Sequence, residues 1–482
     1  MTDLLTDRIA AQVARDPDAL AVVAATDSVD YGHFWSRVTR CAAGLDGMRR
    51  VAVLPTSDIE SLVVVAAAMR AGVSVVLLHR HLLPEQLARV LAVAAPGAVV
   101  AATSQHRRLH RLGRDDVITA ADLENTGPSG SATPDSELLV GITSGTTGEP
   151  KLFVRDQKSW SATLDRSDRT FDIGAGDRVS VPGVLDHTHF LYGALHALTR
   201  GAAVDLRPVL TALADEVTHL YSVPTIAWDV ARSGIAPVAG VREVLSSAAR
   251  WPKSGREALR RVLPNASLVH FYGASELSFV SYDRDLGADD ENAAGELFDG
   301  VDARIRDGLV HVRSDMLFDG YLTDHGITGG PVDGWMTVGD RGLVDGRRLT
   351  LLGRDSEMLI RAGLNVEPAA VETALTAFPG ITEAACIGIP DARMGQVPVA
   401  AVVVGDAAPS SAEIWRHLRA TVPSPSMPVR LVTVTELPRT PRGKLDRRAL
   451  TELLTADSRT ELGGPNPAPA LADRHRIAHV SR

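Results

Sequence analysis

The densest concentration of anion-binding chemistry in the chain is the run Thr143, Ser144, Gly145, Thr146, Thr147, Gly148, Glu149, Pro150 and Lys151, directly after the apolar stretch LLVGI. Glycines let backbone N–H groups approach phosphate oxygens, and hydroxyls add further donors. Lys151 adds a point charge. A polyphosphate is the ligand this composition suits. The spacing is not the Walker pattern GxxxxGK[ST]. Taken alone, such a run also reads as a plain surface turn.

Other reactive side chains lie downstream. Tyr272, Gly273, Ala274, Ser275 and Glu276 put an aromatic ring, a tight turn and a carboxylate within five positions. The segment 333–340 runs DGWMTVGD and ends on Asp340, an acceptor with several lone-pair sites. Gly353 and Arg354 follow. Near the C-terminus, Pro438, Arg439, Thr440, Pro441, Arg442, Gly443 and Lys444 offer an ammonium in a basic setting. The bland readings are a surface glutamate, an Asp in a Gly-Asp turn and a solvated basic face.

The elements that must position these groups alternate. Residues 50–55 read as a strand, 59–70 as a helix, 73–78 as a strand, 84–94 as a helix with proline at its start and 98–102 as a strand. Such alternation predicts parallel sheets covered by helices, and it returns over 204–280. Between 295 and 352 the pattern changes to short strands separated by Asp-Gly and Gly-rich turns, which predicts a small antiparallel or barrel-like element. After 354 it becomes α+β, with helices at 368–377 and 411–420 and strands at 384–389, 397–404 and 430–434. The expected class is therefore α/β: a large N-terminal domain of parallel-rich sheets with helices and a small barrel-like β element (1–354), then a small α+β C-terminal domain (355–456). The Pro/Gly-rich, non-periodic tail 457–482 is expected to be disordered.

Composition narrows the function class. The chain has 482 residues, a formal charge of −9 and 45% hydrophobic residues, as expected of a multidomain globular protein. No basic run is dense enough to track a nucleic-acid backbone. Cys41 and Cys386 are the only cysteines, so no disulfide framework is expected and a reducing compartment fits. The N-terminus carries acidic residues where a signal peptide would be basic. Arg70 and Gly72 break the most apolar stretch, so no transmembrane helix is expected. The predicted address is the cytoplasm.

These motifs, in this order, resemble the signatures of the acyl-adenylate-forming superfamily, which includes acyl-CoA synthetases, adenylation domains and firefly luciferase. The likeness extends over nearly all of 15–455. It implies an ATP-dependent ligase that joins a carboxylate to the α-phosphate of ATP and then passes the acyl group to a thiol. By resemblance, Thr143 to Gly148 and Lys151 hold the phosphates, and Tyr272 flanks the adenine within Tyr272–Glu276. Asp340 accepts from the ribose hydroxyls, and Arg354 contacts the ribose or phosphates. Glu276 and Thr147 lie at Mg²⁺, and Lys444 bridges the acyl carboxylate and the α-phosphate. His187 or His189 stands beside the acid, with Phe190 and Gly193 shaping its pocket. Ser247 lies in SSAARW, where relatives often have a Gly-rich turn. Asp186 is not read as an ammonium-binding aspartate.

In the family a rotation of the C-terminal domain about a hinge, here Asp355 or Ser356, brings in a second loop for thioester formation. Gly363 would then leave room for the pantetheine arm. The preceding glycine of many relatives is Ala362 here. The implied acceptor is coenzyme A. A carrier-protein phosphopantetheine, or an amine or nitrite-type nucleophile, is the alternative. A non-catalytic adenylate-binding protein is the reading of another class, against which Lys444, Glu276, Asp340 and Thr147 stand together. Fatty, short-chain and aryl acids are all left open.

Overall fold

The computed structural model describes residues 4–111, 113–114, 116–144, 150–247, 253–285, 293–354, 359–366, 368–405, 409–438 and 447–455. Gly145, Thr146, Thr147, Gly148, Asp355, Ser356, Lys444 and the tail 457–482 lie outside them, as do the side chains of Ser144 and Arg354. The chain divides into two compact units, whose described parts are 4–354 and 359–455.

Continuous β-branched runs build the first unit. Arg50–Leu54 and Ser74–Leu77 are buried at every position, the pattern of parallel strands covered on both faces. Between them Ile59–Ala71 is helical. Asp58 caps it by accepting from the Ser61 N–H at 2.7 Å, and Gly72 ends it in the left-handed conformation. The sequence reading of a buried helix, a glycine stop and a strand is therefore what forms. The helix Pro84–Ala94 begins on its proline.

These strands join an eight-stranded sheet with Val99–Ala101, Val117–Ile118 and Glu137–Ser144 in parallel. Pro150–Asp156, Gly320–Thr323 and Gly326–Thr328 extend it antiparallel. The second sheet has thirteen strands. Its parallel core runs Ser267–Ala274, Glu243–Ser246, His219–Ser222, Arg178–Ser180, Ala203–Asp205 and Leu20–Val23. The antiparallel strands expected between 295 and 352 form. Asp302–Arg306, Leu309–Arg313, Asp340–Asp345 and Arg348–Arg354 continue this sheet as an open extension, whereas Gly320–Thr323 pairs into the other sheet. The expected antiparallel element is thus built largely as a continuation of an existing sheet.

The second unit is a five-stranded sheet with helices on both faces. Along Ile381–Asp391 the side chains alternate. Cys386 faces the core built with Val371, Trp415 and Leu418, while Ala385 and Ile387 face Leu450 and Leu454. Both cysteines are buried thiols. No described helix is long and apolar enough to cross a membrane.

A buried ion pair fixes the start of the strand that leads to the hydroxyl-rich run. Arg50 donates through Nε to Glu137 Oε1 at 2.5 Å and through Nη2 to Oε2 at 2.8 Å. Its Nη1 donates to the Ala94 carbonyl at 3.1 Å. Removing the carboxylate leaves a buried guanidinium uncompensated. Glu137→Ala is therefore expected to lower stability by about 3 kcal/mol in urea unfolding, and an unchanged midpoint would count against the pair.

Candidate functional site

The C-terminal ends of the parallel strands, where ligands bind in open α/β sheets, carry most of the described candidate residues. Glu137–Ser144 turns back into Pro150–Asp156, with Thr143 opposite Lys151 and Ser144 opposite Pro150. Ser267–Ala274 ends on Tyr272, Gly273 and Ala274, with a bulge between Tyr272 and Gly273. The Tyr272 hydroxyl donates to Asp340 Oδ2 at 2.5 Å. Asp340 is buried and pairs across its ladder with Arg354. Two of the sequence motifs, 68 residues apart, thus meet in one hydrogen bond.

Glu276 lies in the turn that follows. Its backbone carbonyl accepts from the Phe318 N–H at 3.1 Å, and its Oε1 accepts from the Tyr321 hydroxyl at 2.8 Å. Burial, then the adjacent Glu276 charge, raises the Tyr321 pKa, so the phenol stays a donor. Lys151 Nζ sits 5.3 Å from the centre of the same ring. Tyr321 is the residue sequence reasoning missed, because nothing in its neighbourhood marks it. It joins Glu276, on the thirteen-stranded sheet, to the strand pair that carries Thr143 and Lys151.

The turn itself explains Gly273. A Cβ there would lie 2.0 Å from the Ser278 carbonyl oxygen. Ser278 has φ +57, a left-handed conformation that disfavours a non-glycine residue. Its hydroxyl lies 2.8 Å from Thr163 Oγ1. Thr163 gives its own proton to the Ser159 carbonyl at 2.9 Å, so Ser278 is the donor. Arg155, buried, donates to Thr163 Oγ1 at 3.3 Å and to Ser159 Oγ at 3.0 Å. A buried polar strut thus holds a strained residue two positions after Glu276.

The acid-pocket candidates lie on and beside the helix Thr188–Thr199. His187 is its N-cap, with Nδ1 accepting from the His189 N–H at 3.3 Å. His189 donates from Nε2 to the Ser222 carbonyl at 2.9 Å. Burial, and then the neighbouring His187, push its pKa down to about 3, so the ring is neutral and Nδ1 carries a lone pair. His189 lies against Phe190, Tyr221 and Phe271 at centroid distances of 5.1, 5.5 and 5.6 Å. His187 also reaches Phe190, at 5.7 Å, but Tyr221 and Phe271 of the strands meet the His189 ring. Ser247 is buried and donates to the Phe271 carbonyl at 2.9 Å. Gly193 does not open onto empty space: a Cβ there would lie 2.6 Å from the Tyr221 ring. Asp186 is engaged by Arg80, accepting from Nη1 at 2.8 Å and from the backbone N–H at 2.9 Å. Gly363 belongs to the second unit. It follows Ala362 in a two-residue hairpin turn with φ +79 and +50 respectively, a geometry with positive φ at both central residues.

Among the described residues, no group of three or more His, Cys, Asp and Glu side chains could hold a metal ion unaided. A single half-buried carboxylate, Glu276, is nevertheless the hard oxygen donor that Mg²⁺ takes when substrate phosphates and water supply its other ligands.

An α/β enzyme with its candidate site at the strand ends of two sheets, followed by a small second unit, is what fold and geometry define. Comparison with known proteins gives the family. The AMP-binding enzyme profile matches residues 9–322, and the AMP-binding enzyme C-terminal domain matches 370–444. The uncharacterized acyl–CoA ligase YhfT of Bacillus subtilis (strain 168) is 30% identical over 480 residues, covering 93% of this chain and 98% of its own. The amide bond synthetase McbA of Marinactinospora thermotolerans superposes with a TM-score of 0.82 at 26% identity, covering 92% of this chain and 99% of its own. A malonyl-CoA ligase complex, with methylmalonyl-CoA and AMP bound, superposes with a TM-score of 0.75 at 26% identity, covering 88% and 97%. The chain belongs to the AMP-binding enzyme family, within the acyl-adenylate-forming superfamily, and is a ligase.

The strut behind Glu276 is open to test. Ser278→Ala keeps the strained backbone but deletes the hydroxyl, and is expected to cost about 1–2 kcal/mol in thermal unfolding. Ser278→Gly relieves the φ strain and is expected to cost less. If the strut orients Glu276, both variants raise the Mg²⁺ concentration needed for half-maximal activity. Wild-type Mg²⁺ dependence in both would limit the strut to stability.

Proposed function

We propose that this ligase activates a carboxylic acid with ATP and transfers the acyl group to coenzyme A. In the first half-reaction a carboxylate oxygen attacks the α-phosphorus of ATP and pyrophosphate leaves. In the second, the coenzyme A sulfur attacks the acyl carbon, the thiol proton is lost and AMP leaves. Both reactants in the first step are anions, so the barrier is one of charge and position.

The observation that carries this reading is the 2.5 Å bond between Tyr272 and Asp340, which joins an aromatic ring suited to flank adenine to a carboxylate suited to ribose hydroxyls. Arg354 follows on the strand paired with that of Asp340. Thr143, Ser144, Gly145, Thr146, Thr147, Gly148 and Lys151 are assigned to the phosphates. Glu276 and Thr147 would hold Mg²⁺, which when bound screens the phosphate charge. Tyr321 orients Glu276 by its hydrogen bond. His189, neutral and anchored at Nε2, flanks the acid with Phe190. Lys444 is assigned to the transition-state charge of adenylation, and Asp355 or Ser356 to the hinge. The named activities of YhfT and of the malonyl-CoA ligase support coenzyme A as acceptor. The likeness to the amide bond synthetase favours an amine acceptor as the second reading.

Purified protein given ATP, Mg²⁺ and a panel of acids is expected to release pyrophosphate. With coenzyme A added it is expected to form an acyl-CoA, and an amide formed instead from an added amine would select the second reading. Lys444→Ala is expected to slow adenylation by about a hundredfold or more while leaving thioester formation from preformed acyl-adenylate nearly intact. Equal loss in both half-reactions would remove Lys444 from its assigned role.

Gly363→Leu is expected to spare pyrophosphate exchange and abolish thioester formation. Because Gly363 also sits at φ +79, the variant should in addition lose about 1–2 kcal/mol of stability. Ala at this position carries the same backbone strain with little bulk. Loss of thioester formation in Gly363→Leu but not in Gly363→Ala would tie the effect to bulk, and equal thioester yields in the two would refute it.

A further inference from the structure

Register across the parallel strands defines two rows on the face that packs against the helix Thr188–Thr199. Tyr221 pairs with Leu245, and Leu245 with Val269. Two residues further toward the strand ends, on the same face, come Val223, Ser247 and Phe271. Val223 and Phe271 share the core that contains Tyr221, whereas Leu220, Val244 and Leu268 belong to the opposite face. The upper row is the mouth, immediately before Tyr272. The lower row lies roughly 7 Å deeper, two strand residues down. The tail of an acid held with its carboxylate at the strand ends would run between this helix and the sheet.

That space is filled. At Gly193 a Cβ would lie 2.6 Å from the Tyr221 ring. Tyr221 is fully buried, with its ring 5.5 Å from that of His189. Its hydroxyl is 3.0 Å from His196 Nδ1, and His196 Nε2 is 3.1 Å from Asp168 Oδ1. Asp168 in turn faces Arg8 at 3.3 Å and Arg200 at 3.5 Å. A carboxylate only accepts, so His196 carries its proton on Nε2 and its Nδ1 accepts from the Tyr221 hydroxyl. Burial holds the His196 pKa below its usual value against the opposing pull of Asp168, which keeps that tautomer neutral. A buried phenol hydroxyl needs a partner, and this chain supplies it. The chain fixes the ring in one orientation across the gap.

We propose that Tyr221, anchored by His196 and Asp168, closes the acid pocket one row beneath its mouth, so that the enzyme takes small carboxylic acids and excludes long-chain fatty acids. The inference rests on the adenylating activity proposed above. Gly193 is then a specificity position of a different kind from the one its sequence suggested: it admits the stopper and not the substrate.

The test is pyrophosphate release with straight-chain acids from acetic to palmitic, for wild type, Tyr221→Leu, Tyr221→Ala and Tyr221→Phe. Wild type is expected to favour the short acids over palmitic acid by at least about tenfold in kcat/KM. Tyr221→Leu and Tyr221→Ala should move the preferred length upward, raising kcat/KM for a medium-chain acid by about tenfold while acetic acid gains nothing. Tyr221→Phe keeps the ring and should keep the cut-off. Tyr221→Leu preserves most of the apolar volume, so it serves if the alanine variant does not fold. Wild type using palmitic acid as well as a short acid would overturn the proposal. So would a folded Tyr221→Leu with an unchanged length profile. Release from no acid, either in this series or in a panel that adds aryl acids, would instead overturn the adenylating reading, and this inference with it.

Discussion

The hydrogen bond from the Tyr272 hydroxyl to Asp340 is the contact on which the proposed nucleotide side of the site depends. It can form because Tyr272 ends a strand of the parallel core while Asp340 begins an antiparallel strand added to the same sheet. A closed barrel standing apart would not place Asp340 in that sheet. The open extension does, and the bulge after Tyr272 adjusts the ring at the point where the sheet changes from parallel to antiparallel pairing. Fold and site are therefore one problem here: the sheet continues so that a carboxylate far along the chain can reach an aromatic ring at a strand end.

The same economy holds around Glu276. The tight turn exists because Gly273 leaves room for the Ser278 carbonyl, and Ser278 tolerates its left-handed backbone while held to Thr163. Strain of this kind, about 1–3 kcal/mol, persists only where surroundings over-determine it. Arg155, Thr163 and Ser159 supply that surrounding from a strand of the other sheet and its following helix. Tyr321 adds a second tie from the same side. The carboxylate proposed for the metal is thus carried beside one sheet and tied from the other, which suits a group whose geometry must be set before substrate arrives.

What the sequence made legible were elements and contiguous motifs. The buried helix Ile59–Ala71, the proline-started Pro84–Ala94 and the alternating strand Ile381–Asp391 follow from local periodicity and caps, which short windows contain. Fold class and family followed from ordered motifs. Illegible were contacts made by isolated residues across long separations. Tyr321, Thr163, His196 and Asp168 stand in no motif, and their partners are 25 to 115 positions away. The antiparallel strands at 295–352 were visible, but which sheet they would join was not, because period-2 patterning says nothing of the partner strand.

Gly193 shows the physical limit of the residue-by-residue approach. A glycine in a helix facing a ligand pocket and a glycine in a helix facing a tyrosine have the same sequence signature, since both record only that something approaches closely. The approaching group is decided by the neighbouring strand, where Tyr221 occupies the deeper row and Ser247 and Phe271 the upper one. Gly363 poses the same ambiguity in the second unit. Room for a pantetheine arm and the demands of a two-residue hairpin turn both call for glycine, and Ala362 beside it accepts φ +50 without that relief. At Gly193 the absent side chain is explained by protein packing already in hand, so a role toward substrate there is argued from the group that fills the space, Tyr221, and not from the glycine. At Gly363 the backbone demand and the proposed role coexist, and only a difference between bulk and strain separates them.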